Sequence, residues 1–337
     1  MGSLGPPPSS PARFTIPTVT LSDDEFRTEQ TSDESLAAAI YHLHTSGFLI
    51  LRNAVAPAHI AHLNAILAPE ALALARKPST HFNGESAAGA NISQSPPARE
   101  EVMYDDVWAN AHVLAILAAL LGPNPVCTFV RGNTALPGGT QRQGVHADAV
   151  FNYPRFPFGA VVNIYLRGAD EATGATEVWP GSHAVSSWDM HKPSWSRIQD
   201  HHLDARRATH PPVRATVQAG DVLVRDLRLW HAGVPNPDPA AEPRVMLAFV
   251  YFPAWYRNAL RVPLPAKTRH VVERWERERG ARFQVEWLEG REDGDLSDWR
   301  FDGDFSSRNE ALQRLIPWSE NPVKGAWSLN TPAYTRE

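Results

Sequence analysis

A single cysteine, Cys127, stands in a chain of 337 residues. That excludes an internal disulfide and any zinc or iron–sulfur site built from several thiolates. It fits a reducing compartment, and the expected location is cytoplasmic. Positive charge is not in excess: 32 Lys and Arg stand against 37 Asp and Glu, a formal net charge of −5. No basic face for nucleic acid is expected. No apolar run reaches the roughly 18 residues of a membrane span, so no membrane partner is expected either. The opening MGSLGPPPSSPARF lacks the apolar core of a secretion signal. Pro6 also occupies the place where a myristoylation signal needs Ser or Thr. Residues 1–14 read as a disordered Pro/Ser-rich leader, ahead of one domain over 15–337. No internal repeat is found.

What is present is an ordinary globular composition, 43% hydrophobic, in a chain long enough to bury a substantial core. The first part is helical in texture. DESLAAAIYHLHTS (33–46) predicts a helix capped near Ser32 or Asp33 and ended by Gly47. GFLILRNAV (47–55) predicts a short strand, and PAHIAHLNAILAPEALALARK (57–77) a helix that Pro69 should interrupt. DVWANAHVLAILAALLG (106–122) predicts one more amphipathic helix, carrying His112. From residue 126 onward, short β-rich runs alternate with Gly, Pro and Asn: VCTFVRGNTALP, FGAVVNIYLRG, TEVWPGSH, VRATVQAGDVLVRDLRLWHAG and RVMLAFVYF. Many short strands with turns between them predict an antiparallel sandwich or barrel. No helices alternate with these strands, which argues against a doubly wound parallel sheet. The fold class is α+β, with a β core over about 126–255 and a C-terminal extension over about 265–337. That extension either wraps the core or meets a second subunit, as in a homodimer.

GVHADAV (144–150) places His146 and Asp148 two residues apart in a strand-like run. Side chains at i and i+2 of a strand share a face, so both could ligate one ion from one wall. A second His-x-Asp, His202 and Asp204, lies in the charged stretch QDHHLDARRATHPP and reads as solvated surface. His231 follows the apolar run VLVRDLRLW and precedes a turn. Two histidines and one carboxylate can take one face of an octahedral metal and leave the opposite face open for a co-substrate and O2, as in Fe(II) oxygenases. A zinc hydrolase more often pairs three ligands with a bound water and a nearby carboxylate base. No H-E-x-x-H run is present.

The ordered set QGVHAD (143–148), GATEVWPGSH (174–183), AGDVLVRDLRLWHAGVPN (219–236) and then Arg244 resembles the phytanoyl-CoA dioxygenase-like family of Fe(II)/2-oxoglutarate-dependent oxygenases. NISQSPP (91–97) is similar to the N-terminal strand of fungal members that tailor secondary metabolites. The resemblance covers roughly residues 40–260. It implies a double-stranded β-helix, a jelly-roll or cupin-like barrel with flanking N-terminal helices. It implies Fe(II) on His146, Asp148 and His231, and 2-oxoglutarate held by Arg244, with Gln143, Thr176 and Asn91 as further contacts. A guanidinium can bind a carboxylate through two parallel charge-assisted hydrogen bonds, which suits Arg244 to that task. O2 is the second co-substrate, with ascorbate as a supporting reductant. Succinate and CO2 are released while a substrate carbon is hydroxylated, desaturated, epoxidised or rearranged. Ala147 stands between the two ligands where many relatives have Gln or Thr. His183, after Pro180-Gly181, reads as a structural hydrogen-bonding residue rather than a fourth ligand.

The substrate is a small molecule. Aromatics in AVFNYPRFPFG (Phe151, Tyr153, Phe156, Phe158) and in SSWDMHKPSWSRIQ (Trp188, Met190, Trp195) are the candidate lining. They point to a bulky, largely apolar metabolite. The segment 184–212 is long for a connection in a compact barrel and reads as an amphipathic lid. Two alternatives stand beside this reading. One is a cupin-type metal enzyme that does not use 2-oxoglutarate, which would leave Arg244 idle and for which the usual His-x-His start with a Glu a few residues on is absent. The other is a non-catalytic ligand-binding relative, which would have no need of three metal ligands.

Overall fold

The computed structural model describes residues 14–78, 80–83, 91–149, 156–192, 197–256 and 258–290. The chain opens with β1 (Thr18–Thr20), α1 (Asp23–Thr28), α2 (Asp33–Ser46), β2 (Phe48–Arg52) and α3 (Pro57–Leu74). Then come β3 (Asn91–Ser93), α4 (Asp105–Trp108), α5 (Ala111–Leu121), β4 (Val126–Ala135), β5 (Ala160–Tyr165) and β6 (Glu177–Val178). After α6 (Asp200–Thr209) follow β7 (Val213–Arg214), β8 (Val222–Asp226), β9 (His231–Ala232) and β10 (Met246–Phe252). The described chain closes with β11 (Val262–Pro265), α7 (Arg269–Glu278), β12 (Arg282–Phe283) and β13 (Val285–Leu288).

Local chemistry sets the helix limits. The Ser32 hydroxyl accepts from the Ser35 N–H at 3.2 Å and starts α2. Gly47 ends it with φ 82° and donates to the Leu43 carbonyl at 3.1 Å. A side chain at Gly47 would also run into the His183 ring, so glycine is required there twice over. Pro69 does not interrupt α3, contrary to expectation. It lies on the exposed side of the helix, as does Ala65, whose carbonyl loses its partner to the missing N–H. Water can serve that carbonyl. The helix expected over 106–122 is instead two, α4 and α5. Asn110 divides them: its Oδ1 accepts from the Val113 N–H at 3.0 Å, and its Nδ2 donates to the Ala54 carbonyl at 2.7 Å. The second bond ties the cap of α5 to the chain beyond β2.

The large sheet runs β1-β2-β8-β5-β10-β4-β12, with β3 added on β4. Its central pairs are antiparallel, and only edge pairs such as β1·β2 and β4·β12 are parallel. Strand alternation divides its side chains into two faces. Leu49, Leu51, Val162, Ile164, Val222, Val224, Leu247 and Phe249 join the core shared with α2, α3, α5 and α7. Phe48, Ile50, Tyr165, Leu223 and Met246 point the other way, toward a small sheet ordered β7-β6-β9. Isolated bridges His146↔His231 and His146↔Arg197 widen that small sheet. The result is the double-stranded β-helix, with α2, α3, α5 and α7 on the outer face of the large sheet.

Part of the C-terminal extension packs on the core. β12 pairs with β4, and Trp275 of α7 stacks on Trp108 with ring centroids 6.1 Å apart. Residues 291–337, and all of the 1–14 leader except Phe14, lie outside the described residues. No helix among the described residues is long and apolar enough to cross a membrane.

Replacing Asn110 with Ala removes a helix cap and a buried interelement bond together. Equilibrium urea unfolding should show a loss of about 1–2 kcal/mol with an unchanged m value; an unchanged midpoint would show that the bond to Ala54 and the cap contribute nothing net.

Candidate metal centre

His146, Asp148 and His231 come together between the two sheets. One ligand atom from each lies within 4.8 Å of the others. Two backbone hydrogen bonds set this up. The His146 N–H donates to the His231 carbonyl at 2.9 Å, and the His231 N–H donates to the His146 carbonyl at 2.8 Å. The two histidines are thus directly opposed across a pair of strands, with ring centroids 4.2 Å apart. Asp148, two residues on, shares the face of His146. Its N–H donates to the Leu227 carbonyl at 3.0 Å, which fixes the strand's course past β8.

The bend that carries the chain from β8 into β9 is held by its own charges. Arg228 donates from Nε to Asp226 Oδ1 at 2.9 Å and from Nη2 to Oδ2 at 2.6 Å, while its backbone N–H also reaches Oδ1 at 2.8 Å. This buried fork folds residues 226–228 so that His231 leaves the large sheet and enters the small one. Ser182, in the PGSH motif, accepts from the Trp230 N–H at 2.8 Å and steadies the same bend. His183 meets the His44 carbonyl through Nε2 at 3.2 Å and packs against Gly47. It is turned to the helical layer, away from the trio.

The donor set fits a divalent metal on three counts. First, each imidazole pairs its Nδ1 with a backbone carbonyl, His146 with Gly144 at 2.9 Å and His231 with Leu229 at 3.0 Å. A carbonyl only accepts, so each Nδ1 carries the proton and each Nε2 presents a lone pair. Second, both histidines are held neutral: burial pushes His146 below its ordinary value and His231 well below it, and Arg225 adds to both. Third, Asp148 stays ionised. Burial pushes its carboxyl up, but the Arg225 guanidinium beside it outweighs that and holds it low, at about 2. Its Oδ1 faces the two Nε2 atoms, at 3.7 Å from His146 and 3.5 Å from His231. Its Oδ2 accepts from Arg225 Nη2 at 2.5 Å.

Arg244 stands at the start of the strand leading into β10, paired with Ala135 through hydrogen bonds of 2.8 and 3.1 Å. It is 2% exposed, and its Nε and Nη1 are buried without a hydrogen-bond partner. Burial lowers its pKa from the ordinary value. The Tyr165 ring lies 5.9 Å from its guanidinium carbon, and the Tyr165 hydroxyl bonds Thr176 Oγ1 at 2.9 Å. A buried cation with open donors, flanked by hydroxyls, fits one carboxylate of a dianion such as 2-oxoglutarate.

The remaining expected contacts divide. Thr176 is brought beside Tyr165 and so into the neighbourhood of Arg244. Asn91 is buried opposite Ala135, with β4 between it and Arg244. Gln143 uses its amide on the backbone: Oε1 accepts from the Gly233 N–H at 2.8 Å, and Nε2 donates to the Asn83 carbonyl at 2.6 Å. It braces the strand beside His231, and only glycine at 233 leaves room for it. Phe158 is a correction. It is fully buried among Ala149, Val161, Leu227 and Phe252, and offers no surface to a substrate. Met190 is another. It packs with Val145, Ala147 and Ile198, on the face of the strand opposite to His146 and Asp148. Phe151, Tyr153 and Trp195, and the side chain of Trp188, lie outside the described residues.

The described residues of the segment 184–212 make several contacts with the chain around them. The Ile198 N–H donates to the Val145 carbonyl at 2.9 Å, Arg206 bonds the Pro180 carbonyl, and Arg207 lies 5.3 Å from the Trp179 ring. The polar half expected to face water is α6; most of its residues are exposed, while Leu203 is buried and Arg206 is half-buried. His202 and Asp204 are on that helix, with Asp204 paired to Arg207 at 2.7 Å and exposed. Arg225, Asn163 and Tyr165 were not anticipated. The available signal was alternation: in VLVRD, Arg225 shares the inward face of Leu223, an unusual place for a charge.

A family model described as Phytanoyl-CoA dioxygenase (PhyH) matches residues 43–241. Among solved structures, EctD from S. alaskensis in its apoform matches with a TM-score of 0.51 at 18% identity, over 81% of this chain and 92% of that one. The same protein with bound Fe matches with a TM-score of 0.50 at 18% identity, over 80% and 90%. AviO1 from Streptomyces viridochromogenes Tue57 is 23% identical over 67% of this chain and 98% of that one, with a TM-score of 0.47.

Neutral histidines and an ionised Asp148 have a direct consequence for binding. A divalent ion entering the trio at pH 7 should displace no protons, so its calorimetric enthalpy should be the same in buffers of different ionisation enthalpy. Protons should begin to compete only as pH falls below the ordinary histidine value of 6.5, because burial holds both rings under it. Release of one or more protons at pH 7 would contradict the neutral assignment.

Proposed function

Because the chain belongs to the phytanoyl-CoA dioxygenase family, we propose that His146, Asp148 and His231 hold its Fe(II), that Arg244 anchors 2-oxoglutarate, and that a bulky, largely apolar small molecule is oxidised beside them in secondary-metabolite biosynthesis. The enzyme class is Fe(II)/2-oxoglutarate-dependent dioxygenase, with O2 as second co-substrate. The observation that carries the site assignment is the pairing of a converging His–Asp–His donor set with a buried arginine that has open donors.

Iron and 2-oxoglutarate, when bound, supply a two-electron oxidation driven by O2, with succinate and CO2 released. The chain's residues do the rest. His146 and His231 present Nε2 and keep Nδ1 protonated on backbone carbonyls, so neither ring can turn away. Asp148 adds the single formal negative charge of the donor set. Arg244, beside Tyr165 and Thr176, would hold one carboxylate of 2-oxoglutarate. The walls keep bulk water out: Phe48, Val161 and Val250 are buried on the inward face. Phe129 and Ala248, on inward positions of β4 and β10, are only partly buried. They support an apolar substrate body on that side. Which carbon is oxidised, and whether by hydroxylation, desaturation, epoxidation or rearrangement, follows from how that body is held.

A metal enzyme that dispenses with 2-oxoglutarate would leave Arg244 as a buried cation with no anion to meet, a costly arrangement. A non-catalytic binder would have no use for two tautomer-locked imidazoles.

The test is succinate formation by the full chain with Fe(II), 2-oxoglutarate and O2 against a panel of hydrophobic metabolites. Ala at 146, 148 or 231 should reduce succinate to background, while His202→Ala and Asp204→Ala should leave it within about twofold, since surface changes are near neutral. Arg244→Ala should weaken 2-oxoglutarate binding by roughly 2–5 kcal/mol, about thirtyfold or more in KM. A normal KM in that variant would move the anchor elsewhere, and full activity in the His231 variant would overturn the metal assignment.

A further inference from the structure

Arg225 stands where a strand of this sheet otherwise buries hydrocarbon. It projects inward from β8 in register with Phe48 on one side and Val161 on the other, and it is 6% exposed. The neighbouring acid is not its partner, because Arg228 takes both oxygens of Asp226. Its partner is Asp148 Oδ2, at 2.5 Å from Nη2. Its Nε donates to Asn163 Oδ1 at 3.3 Å, and Asn163 Nδ2 in turn reaches the Leu247 carbonyl at 3.5 Å. Nη1 is buried with no partner, so the guanidinium is not held there by a wider backbone network. A chain of contacts thus runs from the backbone of β10, through Asn163 on β5 and Arg225 on β8, to one oxygen of Asp148.

We propose that Arg225 is a positioning residue that divides the two oxygens of Asp148, holding Oδ2 on its guanidinium and leaving Oδ1 alone for the metal. The inference rests on the reading of the trio as a metal centre. A carboxylate free to turn can offer a divalent ion either oxygen or both. Taking both would fill a position that an incoming keto acid needs. A charge-assisted hydrogen bond to one oxygen fixes the rotor and prevents this. Stability alone does not call for the pair: a buried ion pair in an apolar row is at best weakly stabilising, and apolar residues of similar size often replace such pairs without loss. Arg225 therefore acts through Asp148 and touches neither the metal nor the reacting atoms.

This role separates two binding steps that a structural role would move together. In Arg225→Met, Fe(II) added anaerobically to the full chain should bind with one equivalent and within about threefold of the wild-type affinity, since the donors remain and Asp148 gains freedom to use both oxygens. The 2-oxoglutarate needed to develop the visible charge-transfer absorption of the keto-acid chelate should rise tenfold or more. Arg225→Lys should recover part of that loss, because an ammonium restores the charge without the planar fork. If Arg225→Met lowers the melting temperature too far to study, Asn163→Ala removes the Nε acceptor without touching Asp148 and should raise the 2-oxoglutarate requirement by a smaller factor. Unchanged 2-oxoglutarate binding in Arg225→Met, or in Asn163→Ala where that variant stands in, would overturn the proposal. So would Fe(II) and 2-oxoglutarate affinities that fall in parallel with no rescue by Lys, which would mark a structural ion pair. A wild-type protein that binds no Fe(II) would overturn the metal-centre reading and this proposal with it.

Discussion

Two hydrogen bonds, His146 N–H to the His231 carbonyl and His231 N–H to the His146 carbonyl, hold the candidate site together. They join segments far apart in sequence and set both imidazoles on one level. Everything else in the centre follows from that register. Alternation places Asp148 on the same wall, and a slip of one residue would turn His146 and Asp148 out of the chamber and bring Val145 and Ala147 in. The surrounding structure resists such a slip. Val145 and Ala147 are buried on the far face with Trp179, Ile198 and Trp230. Gln143 clamps Gly233 three residues before His146 and two after His231. The Asp226–Arg228 fork fixes the bend by which His231 arrives.

The same arrangement controls charge. Asp148 and Arg225 cancel, the two histidines are neutral, and Arg244 is a cation whose Nε and Nη1 meet no acceptor. These five groups together carry one positive charge. A divalent cation and a dianionic co-substrate add nothing to that sum as a pair, whereas either alone changes it by two. In a site of low dielectric, such pairing lowers the cost of bringing both charges in from water.

Much of this was legible in the sequence because it is local or periodic. The cap at Ser32, the stop at Gly47, the strand texture after residue 126, the shared face of His146 and Asp148, and the inward row from Arg244 to Phe252 all follow from spacing of three to four residues or two. The resemblance added what spacing could not, the pairing of residues 146 and 231 across the fold. What escaped was decided by tertiary environment. Pro69 is tolerated because its side of α3 meets water, and Asn110 breaks a helix because Ala54 offers its amide a second partner. Phe158 and Met190 were read as substrate lining because aromatic and thioether side chains in loops look available. The fold places the first between the sheets and the second behind the His146 strand. Arg225 was hidden in a run of strand residues, where nothing in the sequence says which carboxylate a buried guanidinium will meet.

The central claim is geometric: one ion, held by Nε2 of His146, Nε2 of His231 and a single oxygen of Asp148. Anomalous diffraction from crystals of the full chain soaked anaerobically in Fe(II) tests it most directly. The account predicts one peak between the two sheets, bonded to both Nε2 atoms and to Oδ1, with Oδ2 still on Arg225. A peak elsewhere, or one bonded to both oxygens of Asp148 in the presence of an intact Arg225, would contradict it.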